Sequence, residues 1–264
     1  MSWKIKGKSV TFGYNNVVQD GLLLNLDAGV PASYSGSGTT WYDLSFNGNN
    51  GTLVNGVGFD GGNGGSLVFD GVDDYIALPY QDLLDLGTQL TICGYTKIKD
   101  LNDNQRIFAS YDVTTTNTYT EGFLFYYRYP ASNGLSANTL AFQYGKNTWA
   151  WNVFGSNGLT ITDNNFHFVA VTASNLNTTN PTIKFYIDGN NVSGTSWTAS
   201  SPQPIRYAST TDSIRIASTY TATRPSYSEV YSDIDLGGLQ IYNRELSESE
   251  IQQNFDAFRG RNVI

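Results

Sequence analysis

The chain has 264 residues, a formal net charge of −8 and 14% charged residues, against about 25% in an average globular protein. That balance provides no basic field for a phosphate backbone, which excludes a nucleic-acid partner, and no apolar run reaches the length of a membrane span. One cysteine excludes a disulfide framework, and the length suffices to bury a core without staples. Solubility therefore rests on Ser, Thr, Asn and Gly, a habit of extracellular and virion-surface β-proteins.

At the start, Trp3 and Ile5 alternate with Lys4 and Lys6, and Lys8 extends the basic side. Residues 1–20 are read as an N-terminal arm or first strand, and 21–264 as one domain. The five residues fit a docking arm that pairs with a neighbouring subunit. They fit equally a first strand whose lysines discourage edge-to-edge pairing. No apolar run of signal-peptide length follows, so synthesis in the cytoplasm without an export leader is expected.

From Gly21 onward strand follows strand. Gly21–Asp27 leads into a glycine-rich loop, and Ser66–Phe69 alternates Leu67 and Phe69 with Ser66 and Val68. Asp70-Gly71 turns the backbone, Tyr75–Leu78 leaves it, and Asp73 and Asp74 sit at the rim. Further strands are expected at Gln89–Lys97, Arg106–Tyr111, Gly122–Tyr129, Thr139–Tyr144, Thr148–Phe154, Phe166–Ala173, Thr182–Ile187, Ser213–Ala217 and Leu236–Tyr242. Recurrent turn signals between them predict an all-β, two-sheet antiparallel β-sandwich. Ser247 and Glu250 form a capping box, with Leu246 stapling onto Ile251. Ile251, Phe255 and Phe258 then share one face of a short C-terminal helix, expected to seal one end of the sandwich.

Catalytic chemistry is thin. Retaining glucanases need two carboxylates about 5 Å apart. Of the five glutamates, Glu121 and Glu229 stand alone, while Glu245, Glu248 and Glu250 gather at the helix. Asp233 and Asp235 share a strand face and read as turn or metal residues before catalytic ones. His167, the only histidine, alternates with Val169 and Val171 as a packed structural residue, and Cys93 reads as a buried free thiol. No catalytic residue and no metal ligand is assigned. Sugar binding needs aromatic faces: Trp149 and Trp151 point to one side of a strand roughly 7 Å apart, bordered by Asn147, Thr148 and Asn152. Phe125, Tyr127 and Tyr129 form a second file, which is either a platform or core.

Several of these segments resemble one family. Phe69-Asp-Gly-Val-Asp-Asp-Tyr-Ile76 and Tyr242-Asn-Arg-Glu-Leu-Ser-Glu-Ser-Glu-Ile251 are similar to the signature turn and exit strand of laminin-G-like domains, in the concanavalin A-like lectin and glucanase superfamily. Leu26-Asp-Ala-Gly29, Trp41-Tyr-Asp-Leu-Ser45 with Asn47-Gly-Asn49, Phe166–Val171 and Phe185-Tyr-Ile-Asp-Gly189 resemble its other motifs. Phe46 replaces a usual Gly, placing an extra aromatic on the surface, and Phe166 replaces a usual Trp. The resemblance implies a concanavalin A-like jelly roll that binds or displays and requires no cofactor. It admits calcium at the rim, where Asp70, Asp73 and Asp74 are candidates. Similar openings are frequent in tailed-phage structural proteins. They imply a multi-copy virion-surface protein, in capsid decoration or tail, whose partners are other virion subunits and host-surface glycans. The alternative is a carbohydrate-binding adhesin; a glycoside hydrolase is third.

Overall fold

The computed structural model describes residues 2–5, 8–11, 16–79, 86–113, 120–128, 136–146, 148–156, 160–193, 196–198, 214–219 and 229–259. For 2–11, 111–113, 120–121, 146, 148–151 and 196–198 the description is of the backbone alone.

In chain order the strands are β1 (Ser2–Ile5), β2 (Lys8–Thr11), β3 (Leu22–Asp27), β4 (Thr40–Trp41), β5 (Gly51–Val54), β6 (Gly58–Asp60) and β7 (Ser66–Val68). Next come β8 (Tyr75–Ala77), β9 (Leu90–Ile98), β10 (Gln105–Val113), β11 (Thr120–Arg128), β12 (Thr139–Lys146), β13 (Thr148–Gly155) and β14 (Phe166–Ser174). The last are β15 (Thr182–Ile187), β16 (Asn190–Asn191), β17 (Ser196–Thr198), β18 (Ile214–Ile216), β19 (Ser218–Thr219), β20 (Val230–Tyr231) and β21 (Ile234–Tyr242), before helix α1 (Glu248–Arg259).

A nine-stranded sheet runs β17-β13-β12-β11-β10-β18-β8-β5-β4. An eight-stranded sheet runs β16-β15-β14-β9-β21-β7-β6, with β3 also paired to β21. β21 is the hub: one edge meets β9 along its length, while the other meets β7 at Asp235–Leu236 and β3 from Gly238 onward. Neighbouring strands are antiparallel throughout the described pairings, so the chain is an all-β sandwich with a short C-terminal helix.

Between the sheets lies an aromatic core. Phe108, Phe123, Phe142, Tyr144 and Phe154 form a run across β10 to β13, with successive ring centroids 5.7, 6.0, 6.0 and 5.9 Å apart. Contacts at these separations add roughly 0.5–1.5 kcal/mol per pair beyond area burial. The Phe125/Tyr127 file belongs to this core, and the Tyr127 hydroxyl is satisfied by the Leu101 carbonyl and Asn138. Position 129 lies outside the described residues.

The capping box forms: the Ser247 amide donates to Glu250 Oε2 at 2.9 Å, and the Glu250 amide to Ser247 Oγ at 3.4 Å. Arg244, bonded to both Glu250 oxygens, holds that carboxyl down to about 2, with Ser247 assisting. The helix does not seal an end. It lies across the outer face of the eight-stranded sheet, Phe258 packing on Tyr95 and Phe168, and Phe255 on Phe168. The reason is that β9, β14 and β21 are apolar on both faces, leaving Cys93, Tyr95, Phe168, Ala170 and Tyr242 to be covered. Gly238 permits the approach, since a Cβ there would lie 2.7 Å from Phe258 Cε1. Buried Asn254 then clasps the two ends of the domain: it accepts from the Val18 amide and donates to the Tyr242 hydroxyl, both at 2.9 Å.

Candidate functional site

Three regions bear on function: the outer face of the nine-stranded sheet, which is buried at Leu124, Tyr126, Arg128, Ala141, Val153 and Arg215; an acidic rim; and a cleft walled by glycine. On the first, core-directed residues alternate with outward ones. Register pairs Tyr126 with Ala141, Ala141 with Gly155, and Gly145 with Trp151. Position 151 therefore shares a face with Gln143, Val153 and Tyr126, opposite core-directed Phe154 and Tyr144. The side chains of Trp149 and Trp151 lie outside the described residues. The rest of the face joins cations to rings: the Arg106 guanidinium lies 5.6 Å from the Tyr126 ring centroid and that of Arg215 4.0 Å from Tyr75. Arg128 Nη1 is 3.4 Å from the Tyr126 hydroxyl, and Arg215 pairs with Glu229 at 3.5 Å.

The N-terminal residues form a separate two-stranded sheet in which Trp3 faces Val10, Lys4 faces Ser9 and Ile5 faces Lys8. Described pairings do not join this hairpin to either large sheet. Lys6 and the side chains of Trp3, Lys4, Ile5 and Lys8 lie outside the described residues.

At the rim, the turn after β7 brings one carboxylate oxygen each of Asp70, Asp73 and Asp74 within 4.8 Å of one another. Asp70 and Asp73 are exposed and Asp74 is buried. Burial raises the Asp74 carboxyl above its usual value, and the charge on Asp70 adds to the rise. Backbone amides of Asp70 and Val72 occupy one oxygen each of Asp74 and Asp70, at 3.3 and 2.8 Å. The others form a hard-oxygen set that suits a divalent cation such as calcium, with carbonyls or water completing the shell. A cation there would offset the unfavourable charge on Asp74.

Asp233 and Asp235, the other acidic pair, are not a catalytic dyad. Lys99 Nζ reaches Asp233 at 2.8 Å and Asp235 at 3.3 Å and also donates to the Phe69 carbonyl at 2.7 Å. Burial opposes the lysine's charge, but the two carboxylates outweigh it and its pKa rises. His167 is not merely packed in the sheet. It is the second residue of β14, with Nδ1 2.7 Å from Asp188 and Nε2 3.0 Å from Asp163. The Asp188 bond raises the imidazole to about 8 against burial, with Asp163 assisting. Asp188 also accepts from the Phe168 amide, so this clamp fixes the Tyr186-Ile-Asp-Gly189 hairpin. Cys93 is buried and its thiol is pushed up to about 12, an unreactive state. The described glutamate side chains are all engaged: Glu229 by Arg215, Glu245 by Lys184, Glu248 by Asn191 and Glu250 by Arg244.

The opening motifs are scaffold. Asp43 accepts from the amides of Asn25, Ser45 and Asn49, while Asn47 and Asn49 donate to the Leu23 carbonyl. This network freezes a loop whose tip residue, Phe46, has a φ of 69° and is 88% exposed. The expectation of a surface aromatic there holds.

Sequence reasoning passed over one cleft. A cavity of about 280 Å³ opens between the segment after β3 and the loop joining β6 to β7, lined by Pro31, Tyr34, Ser35, Phe59, Gly61 and Gly65 among others. Phe59 packs on Tyr34 with centroids 5.3 Å apart yet stays 38% exposed. The signal was an aromatic beside the run Gly61-Gly-Asn-Gly-Gly65.

Comparison with known proteins accords with this architecture. The family described as the concanavalin A-like lectin/glucanases superfamily matches residues 70–252. The chain belongs to that superfamily. No curated protein matches the sequence. Among solved structures, the binding domain of Paraclostridial Mosquitocidal Protein 1 superposes with a TM-score of 0.59 at 14% identity, covering 91% of this chain and 53% of that one. The binding domain of Botulinum Neurotoxin DC in complex with SialylT gives 0.60 at 13%, covering 91% and 52%. Trypanosoma rangeli sialidase in complex with sialic acid gives 0.53 at 15%, covering 89% and 32%. The chain thus spans about half the length of the two toxin domains and a third of the sialidase, and at these identities the likeness is one of fold.

Proposed function

We propose that the chain is a non-enzymatic carbohydrate-binding module that engages cell-surface glycans, with the Trp149/Trp151 strand as the candidate platform. The observation that carries this reading is the register of β12 and β13, which sets position 151 on the outward side of the sheet, a side it shares with Tyr126, Arg128 and Arg215, which are buried. Tryptophan rings offer sugar C–H faces a stacking surface. The reading is supported by fold neighbours solved in complex with SialylT and with sialic acid. The engaged glutamates and the Lys99-bound Asp233 and Asp235 favour binding over hydrolysis. A glycan array tests it. Reproducible binding that disappears in Trp149→Ala/Trp151→Ala is the expected result; binding unaffected by that double change would remove the platform from the site.

A second reading, display on a tailed-phage particle with Trp3, Lys4, Ile5, Lys6 and Lys8 as the docking arm, rests on the Leu26-Asp-Ala-Gly29 and Trp41–Ser45 opening. The hairpin's separate pairing favours an arm over a first strand of the sandwich. The fold neighbours favour the lectin reading over this one, and a silent array would reverse that order. The two are compatible, since a displayed jelly roll can also bind host glycans. Calcium at Asp70, Asp73 and Asp74 would rigidify the rim in either case.

A further inference from the structure

We propose that the cleft between Tyr34 and the Gly61–Gly65 loop is a subsite for a single uncharged sugar ring. This rests on the carbohydrate-binding reading but places a contact away from the Trp149/Trp151 strand, in a region that reading does not use. Four observations converge on it.

First, the cleft has one aromatic wall. Phe59 is backed by Tyr34, whose own hydroxyl is taken up by the Gly38 carbonyl at 3.0 Å. The Phe59 ring therefore stays in place without being buried, and an exposed, supported ring is what a sugar C–H face stacks upon. Second, four of the lining residues are glycines, whose peptide groups carry no side chain above them. The Gly29 and Gly65 amides already donate to Asp27 Oδ1 and the Gly62 carbonyl, so these two positions offer a sugar hydroxyl carbonyl acceptors. Third, the glycines are required there. Gly64 and Gly65 have φ of 79° and 90°, and a Cβ at Gly65 would come within 2.7 Å of the Ala28 carbonyl oxygen, so the loop closes against the segment after β3 only without side chains. Fourth, none of the lining residues is acidic or basic, which selects an uncharged ligand. Its volume of about 280 Å³ lies just under the roughly 300–1,000 Å³ of drug-sized pockets, room for one ring and not a chain.

Gly61 gives a clean way to fill the cleft. A Cβ there would meet only Phe59 Cε1, at 3.7 Å, an ordinary contact. Gly61→Val should therefore fold normally while occupying the space beside the ring.

The test is saturation-transfer NMR on the full chain with glucose, galactose, mannose and N-acetylglucosamine as separate probes. Methyl dispersion in the protein spectrum serves as the folding control. The expected result is transfer to at least one sugar, lost in both Phe59→Ala and Gly61→Val and retained in Phe46→Ala, a change at an exposed aromatic that does not line the cleft. Transfer that persists in folded Phe59→Ala and Gly61→Val overturns the subsite. Transfer lost only in Trp151→Ala also overturns it, while leaving the carbohydrate-binding reading intact. Absence of transfer to all four sugars overturns the subsite as well. A positive glycan array in that case would keep the wider reading, and a silent one would end both.

Discussion

Among the described residues, three groups of aspartates invite comparison, and two of them carry their own cation. Asp233 and Asp235 share Lys99; Asp163 and Asp188 share His167. Asp70, Asp73 and Asp74 have no described ion pair of their own, although they adjoin the Lys99 cluster so closely that a Cβ at Gly71 would sit 3.1 Å from that of Asp233. The difference separates structural acid from available acid. Where a turn must be pinned to the sheet, the chain supplies a basic side chain from a neighbouring strand. At the rim triad no ion pair is described, and Lys99 acts on Asp74 only as the last of the influences on its carboxyl. Proximity of acidic residues alone does not make a site; the test is whether the fold has already neutralised them.

Breaking the strongest lock should have the largest effect. Lys99→Met leaves Asp233 without its cation and Asp235, only 10% exposed, with Lys97 alone at 3.8 Å, and should cost about 1–3 kcal/mol by urea denaturation. A loss near zero would mean the triad and the pair differ less than the geometry indicates.

The His167 clamp should appear as a pH dependence of about 1–2 kcal/mol. Its folded pKa, about 8, lies above the ordinary value of 6.5. The stabilisation is therefore complete below about 6.5 and is lost as pH rises through about 8. Tm measured across that window should fall in the native chain and stay flatter in His167→Gln; parallel profiles would refute the clamp.

The smallest effect belongs to the triad. Because Asp74 has its pKa raised in the folded state, its charge opposes folding at neutral pH. Asp74→Asn should raise stability by less than about 1 kcal/mol in metal-free buffer. Calcium should raise the Tm of the native chain and leave that of Asp74→Asn unmoved. An equal calcium response in both would place the ion elsewhere.

The strands from β9 to β15 and β21 were legible because alternation and turn residues fix them locally, and their observed ends lie within a few residues of the expected ones. Turn chemistry likewise revealed Asp70-Gly71 and the Ser247/Glu250 cap. Side-chain partnership was not legible. Asp233 and Asp235 look the same in sequence as Asp70, Asp73 and Asp74, and Lys99 is distant from both groups along the chain. Phe59 and Tyr34 meet only because the loop after β6 packs beside the segment after β3, so the glycine run beside Phe59 was a signal without a partner in the sequence.

The sequence by itself determined a two-sheet antiparallel sandwich, its aromatic interior and its capped final helix, since period-two alternation and φ-specific turns act over a few residues at a time. Only the tertiary structure decided which aromatic file is core, where the helix lies, which carboxylates are neutralised and where a cleft remains. Those outcomes depend on register and on packing between distant segments, and no local pattern records them.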